Sequence, residues 1–117
     1  MNSEFEDVIS RLNKFAQDRD WEQFHSPKNL ACSIVIEASE LLEKFQWMSE
    51  IQSKIIDPEK LSEIESEVAD IFSYLIYFAK QYDIDILKAA SNKIELNEIR
   101  YPIDKSKGNA EKYTKLK

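Results

Sequence analysis

Among its 117 residues the chain has a single glycine, three prolines, one cysteine and one histidine. Each shortage excludes something. So few backbone breakers argue against short strands joined by tight turns and favour long helices. Cys32, alone, closes no internal disulfide and fits a reducing compartment. One histidine cannot supply the Glu-x-x-His motif on each of two helices that a carboxylate-bridged di-iron bundle uses. The chain also lacks an apolar run of the roughly 18 residues needed to span a membrane. Its acidic start has neither the basic end nor the apolar stretch of a signal peptide, so a cytoplasmic location is expected. Basic charge is short too. The net charge of -6 and pI near 4.9 argue against a groove that tracks a nucleic-acid backbone. Apolar residues are not short: at 43 % they mark a globular chain with enough core for one modest domain.

Punctuation and periodicity predict four helices. The first covers about 3–19, with Ser3 as N-cap, Glu6 completing a capping box, and Phe5, Val8, Ile9, Leu12, Phe15 and Ala16 on one face. Ser26-Pro27 reads as a cap followed by proline in the first turn and opens a second helix, expected to continue to about Met48. Its stripe is Leu30, Ile34, Ala38, Leu41, Leu42 and Phe45. Asp57-Pro58 repeats the signal for a third helix ending near Tyr82, with Leu61, Ile64, Val68, Ile71, Leu75 and Phe78 inward. Asp83 or Asp85 caps a fourth, which Tyr101-Pro102 ends near Arg100. The expected fold is all-α, an antiparallel four-helix bundle over 1–102 followed by a Lys-rich tail, 103–117, that orders only against something else. Phe72, Ile76 and Ala79 widen the apolar arc of the third helix well beyond about 100°, so helix faces are expected to pair in a homodimer or homotetramer.

Two acid-x-x-acid pairs flank these apolar arcs: Glu37 with Glu40, and Glu67 with Asp70. Like charges one turn apart repel by about 0.2–0.5 kcal/mol, so an inward-facing pair needs compensation. A hard divalent cation supplies it, and Mg²⁺ prefers carboxylate oxygens while keeping room for water and phosphate. Acids fill 22 of 117 positions, and Glu4/Asp7, Glu40/Glu43 and Glu95/Glu98 show the same spacing, so a solvated helix face is the commoner meaning of one pair. Two pairs beside the core of consecutive helices point to metal-assisted phosphate chemistry. Spacing alone does not name an enzyme.

Further segments do. Asp20-Trp21-Glu22-Gln23-Phe24-His25, Ser26-Pro27-Lys28-Asn29-Leu30, Phe45-Gln46-Trp47, Tyr74-Leu75, and Lys93, Asn97 and Arg100-Tyr101-Pro102 stand around the acids. Together with Gly108-Asn109-Ala110-Glu111-Lys112-Tyr113-Thr114-Lys115-Leu116 they resemble the MazG-like all-α nucleotide pyrophosphohydrolases, in particular the dCTP pyrophosphatase branch. The family signature, E-x-x-E then E-x-x-D, reads here Glu37-Ala38-Ser39-Glu40 and Glu67-Val68-Ala69-Asp70. The resemblance implies hydrolysis of a nucleoside triphosphate between its α and β phosphates, a helical oligomer, and Mg²⁺ held by Glu37, Glu40, Glu67 and Asp70. Glu37 or Glu40 is expected to orient the attacking water. Trp21, His25, Trp47 and Tyr74 are candidates for the base, with core packing as the plain alternative. Trp47 falls beside Glu40 if the second helix continues to it. His25 is expected to be structural and not a metal ligand, since Mg²⁺ prefers oxygen. Lys93 and Asn97, sharing one helix face, join Arg100 and Tyr101 as candidates for phosphate or sugar. Lys105, Lys107 and Lys112 are candidates to close over the phosphates. The competing readings are a non-catalytic helical oligomerisation module and a hydrolase of a modified nucleotide.

Overall fold

The computed structural model describes residues 3–117, with the side chain of Ser3 outside the description, and so too its expected capping role. All regular elements among the described residues are helical. They are α1 (Ser3–Asp18), α2 (Pro27–Glu43), α3 (Glu50–Ser53), α4 (Pro58–Gln81), α5 (Ile86–Arg100) and α6 (Ile103–Ser106), with 3-10 turns at Glu22–Phe24 and Tyr113–Lys115. The four long helices are those expected from the sequence. Two compact units divide between Asp83 and Ile84, so α1 to α4 form one unit while α5 and α6 belong to the other. No helix among the described residues is long and apolar enough to cross a membrane.

Capping chemistry sets the helix starts. Ser26 Oγ accepts from Asn29 N at 3.1 Å, and Asp57 Oδ1 accepts from Lys60 N at 2.8 Å, each followed by proline in the first turn. Of the two aspartates offered for α5, Asp85 is the cap, accepting from Lys88 N at 3.1 Å. Asp83 takes a left-handed turn instead, with φ 53°, beyond the end of α4.

The second helix stops earlier than expected, at Glu43 and not Met48. Phe45 N bonds Leu42 O at 2.9 Å and Met48 N bonds Phe45 O at 2.9 Å, the tighter three-residue spacing of turns. A competing start explains the break. Ser49 Oγ accepts from Gln52 N, and Gln52 Oε1 accepts from Ser49 N, a complete capping box that opens the four-residue α3.

In the first unit α2 packs on α4 and α1 packs on the same helix. Pairings down the α2–α4 interface run in opposite senses. Ser33 meets Tyr74, Glu37 meets Asp70, and Glu40 meets Glu67, so the two helices are antiparallel as expected. On the other side of α4, Phe5 sits edge-on to Phe72 with centroids 6.1 Å apart, and Tyr77 Oη donates to Leu12 O at 3.1 Å. Leu12, Ala16, Leu30, Tyr74, Tyr77 and Phe78 make the core where the three helices meet. That core is small: Ala16, Leu30, Ile76, Tyr77 and Ala79 are the buried apolar residues among those described.

In the second unit the tail folds back on the end of its own helix. Gly108, with φ 83°, adopts the left-handed conformation that glycine takes at no steric cost. Asn109 Nδ2 donates to Lys105 O at 2.9 Å, and its Oδ1 accepts from Glu111 N at 3.0 Å. Tyr113 then stands edge-on to Tyr101, centroids 5.9 Å apart, with the Arg100 guanidinium 4.5 Å from its ring centre. The segment expected to need an outside surface thus orders against α5.

Candidate active site

The register of α2 on α4 brings both acid pairs to one place. Oxygens of Glu37, Glu67 and Asp70 lie within 4.8 Å of one another, the first two residues half-buried and Asp70 exposed. Glu40, also half-buried, reaches both Glu37 and Glu67. A carboxylate oxygen only accepts hydrogen bonds, so such acid-to-acid contacts close only with a proton or a cation between them. Glu37 Oε2 and Glu67 Oε2 are buried, and among the described residues no donor reaches either. Orphaned acceptors of this kind are costly and call for an ion or water.

Electrostatics carries the same sign. Burial pushes the Glu37 carboxyl up from 4.5 to about 7, helped by Glu40, Asp70 and then Glu67. Glu67 moves up as well, through burial and Glu40, while the Lys44 ammonium pulls the other way. The donor set is all hard oxygen. That is the chemistry Mg²⁺ selects, and the four acids fit it.

Beside the cluster lies a pocket of about 210 Å³ lined by Trp21, Phe24, His25, Asn29, Leu30, Ser33 and Tyr74. Trp21, half-exposed, is edge-on to Phe15 at 5.5 Å. The His25 ring lies 4.6 Å from that of Tyr77, tilted by 37°. Burial pushes the His25 imidazole below its ordinary value, against Glu22 and with Lys80, so it is neutral near physiological pH. Tyr74 joins pocket to acids. It is hydrogen-bonded to Ser33, and burial together with Glu37, Asp70 and Glu40 holds its phenol in the protonated form.

Trp47 stands apart. Because α2 ends at Glu43, the helical projection that set it beside Glu40 does not apply, and its side chain is 89 % exposed. Lys93, Asn97 and Arg100 follow one face of α5 in the second unit, with Tyr101 closing the helix through its N–H on Asn97 O at 2.8 Å. Sequence reasoning passed over Asn29 and Ser33. The signal was present: 29, 33, 37, 40 and 44 step by four or three residues and so trace one polar stripe on α2, from pocket to acids to Lys44.

The all-α scaffold gathers four carboxylates beside an aromatic pocket, a donor set able to hold a divalent cation. The particular family follows from sequence: the MazG-like family model matches residues 32–116, and the chain belongs to that family. It is 38 % identical over 113 residues to dCTP pyrophosphatase 1 of Rattus norvegicus, covering 95 % of this chain and 66 % of the rat protein. The Homo sapiens dCTP pyrophosphatase 1 is 34 % identical over 113 residues, again 95 % of this chain and 66 % of that protein. The chain thus spans just under two thirds of the length of these relatives. The crystal structure of a pyrophosphatase from Archaeoglobus fulgidus superposes with a TM-score of 0.82 at 37 % identity, covering 87 % of this chain and 95 % of that one.

Proposed function

We propose that this chain is a nucleoside triphosphate pyrophosphohydrolase that cleaves a (deoxy)nucleoside triphosphate between the α and β phosphates, releasing the monophosphate and pyrophosphate. The observation that carries the reading is the pair of buried, donorless oxygens on Glu37 and Glu67, in a cluster of three acids with Asp70 that Glu40 adjoins. Membership of the MazG-like family and likeness to proteins named dCTP pyrophosphatase 1 support the same reaction.

Glu37, Glu40, Glu67 and Asp70 would hold Mg²⁺. When bound, the ion supplies charge compensation for the phosphate oxygens as the bond breaks. Glu37 or Glu40 orients a water for in-line attack on the α-phosphorus, and pyrophosphate departs without a covalent enzyme intermediate. Trp21 and Tyr74 offer aromatic faces to the base, and base stacking contributes about 1–3 kcal/mol. Neutral His25 can give or take one hydrogen bond at the pocket wall. Lys93, Asn97, Arg100 and Tyr101 bind phosphate or sugar. A pocket of this size suits one nucleobase, and the substrate is dCTP, a modified pyrimidine or another non-canonical deoxynucleotide, removed in nucleotide-pool housekeeping in the cytoplasm. The assembly is a homodimer or homotetramer, supported by the exposed apolar side chains of α2 and α4, among them Val35, Leu42, Leu61 and Val68.

Pyrophosphate release from each standard and several modified triphosphates, with and without Mg²⁺, tests the reading and ranks the substrates. Glu40→Gln is expected to lower turnover at least about 100-fold with the helical circular-dichroism spectrum unchanged. Near-normal turnover in that variant would reject its role. A chain that releases no pyrophosphate from any triphosphate, and whose melting temperature ignores Mg²⁺, would be a non-catalytic oligomerisation module.

A further inference from the structure

Phe15 belongs by period to the apolar face of α1, yet it is 42 % exposed and stands outside the core that Leu12 and Ala16 help to form. Two contacts engage its ring instead. The Arg19 guanidinium lies 3.7 Å from the ring centre and also donates to Phe15 O at 3.1 Å. Trp21 stands edge-on to the same ring, with centres 5.5 Å apart and planes at 78°. A side chain this exposed adds little to the core, so its place is explained by what it holds.

The end of α1 fixes the geometry. Asp20 takes a left-handed turn, with φ 54°. Its N–H donates to Gln17 O at 3.0 Å, and Trp21 N donates to Ala16 O at 2.9 Å, the paired bonds of a Schellman helix ending. Gln23 Nε2 secures the turn, donating to Asp20 O at 3.0 Å and to Asp20 Oδ2 at 2.9 Å. Such endings commonly carry an apolar contact across them, and here it joins Phe15 to Trp21. Closure of the helix needs no more than an aliphatic pair. Trp21 does more, because it also lines the pocket of about 210 Å³ whose Tyr74 feels the charges of Glu37 and Asp70.

We propose that Phe15 is a positioning residue: with Arg19 over its face, it fixes the Trp21 indole at the edge of the pocket for stacking on a nucleobase. The proposal rests on the hydrolase reading for the identity of that ligand. A half-exposed indole otherwise loses rotamer freedom when a ligand orders it, and an indole already held avoids that loss. The ring of Phe15 is what matters. Its effect falls on binding of the base and not on the bond-breaking step, because the acids are left as they are.

The test uses the full chain and the four standard deoxynucleoside monophosphates, measured by titration calorimetry, with circular dichroism to verify folding. The tightest-bound monophosphate serves as the probe. Phe15→Leu is expected to weaken its binding about two- to tenfold, as loss of an edge-to-face aromatic pair would. Phe15→Tyr, which keeps the ring, is expected to bind as the unaltered chain does. In a Trp21→Leu background Phe15→Leu is expected to add nothing, because the two residues act as one unit. Inorganic tripolyphosphate, which has no base, is expected to bind Phe15→Leu and the unaltered chain equally. In hydrolysis of the matching triphosphate, Phe15→Leu is expected to raise KM by the same factor and leave kcat unchanged. Should Phe15→Leu not fold, Phe15→Met is read in its place; if neither folds, the ring belongs to the fold alone and the proposal falls. Equal affinities for the Leu and Tyr variants overturn it, as does a Phe15→Leu effect that persists without Trp21. A parallel loss of tripolyphosphate binding, a loss confined to kcat, or an unaltered chain that binds none of the four monophosphates overturns it as well. If no triphosphate is hydrolysed while the Leu–Tyr difference persists, the hydrolase reading falls and the positioning role stands; if hydrolysis proceeds without that difference, the positioning role alone falls.

Discussion

Glu37 concentrates the tension of this molecule in one side chain. Its carboxyl is pushed from 4.5 up to about 7, first by burial and then by the surrounding acids. The folded state therefore holds that proton more tightly than the unfolded chain does. The stabilisation is complete below about pH 4.5 and is lost as pH rises through about 7. The melting temperature of the metal-free protein is expected to fall across that window and level off above it. Mg²⁺ competes with the proton, so it is expected to raise the melting temperature more at about pH 8 than at about pH 5. Scanning calorimetry over a pH series with and without Mg²⁺ measures both, and a Mg²⁺ effect independent of pH would contradict this account. At this scale the acids were legible in the sequence because four charges beside two apolar arcs conflict with burial unless something pairs with them. Tyr74 was legible from its place on the same helix, one turn beyond Asp70, and from the family resemblance. Asn29 and Ser33 were not: a small polar residue on a helix is compatible with solvent, and only its position in the stripe distinguishes it. The expected place of Trp47 beside Glu40 depended on a helix that ends at Glu43, before reaching it.

Helix starts were more legible than helix ends. Ser26, Asp57 and Asp85 each donate no charge to the core, yet each satisfies a backbone N–H that would otherwise be unpaired, and that requirement is local enough to read. The end of α2 is settled by competition between two local solutions, helix continuation through Phe45 and Trp47 or a fresh start at Ser49. Apolar periodicity favours the first, and the reciprocal Ser49–Gln52 bonds belong to the second. Packing between elements hangs on very few side chains. Leu30 is the one fully buried large side chain among the described residues, lodged against Ala16 and Tyr77. Leu30→Ala is expected to cost about 2–5 kcal/mol, since the cavity would open where three helices converge. Urea unfolding measures the loss, and a midpoint shift equivalent to less than about 1 kcal/mol would show that the core holds together elsewhere.

At the scale of the molecule, apolar surface exceeds what one copy buries. Val35 and Ile36 on α2, Leu61 and Val68 on α4, and Ile51 and Ile55 in the connection between them are exposed. The width of the apolar arc on the third long helix was readable from period alone, because residues facing every side of an α-helix need neighbours on more than one side. What covers them was not readable, since periodicity fixes which face is apolar and not which surface meets it. Self-association makes stability depend on concentration. The melting temperature is expected to rise with protein concentration, and sedimentation velocity to give a mass of two or four chains. A single-chain mass at micromolar concentration would refute the assembly.

The opposed register of α2 and α4 has a further consequence. Every carboxylate of the cluster comes from a rod whose rotation is fixed by its neighbour, so one residue added within either rod would swing the later groups by about 100°. The acids tolerate no change of length between Ser33 and Glu40, or between Glu67 and Tyr74. The stretch 44–57 lies outside both rods and carries no acid of the cluster. A change of length between Ser49 and Asp57 therefore leaves the rotation of both rods, and with it the four acids, in place.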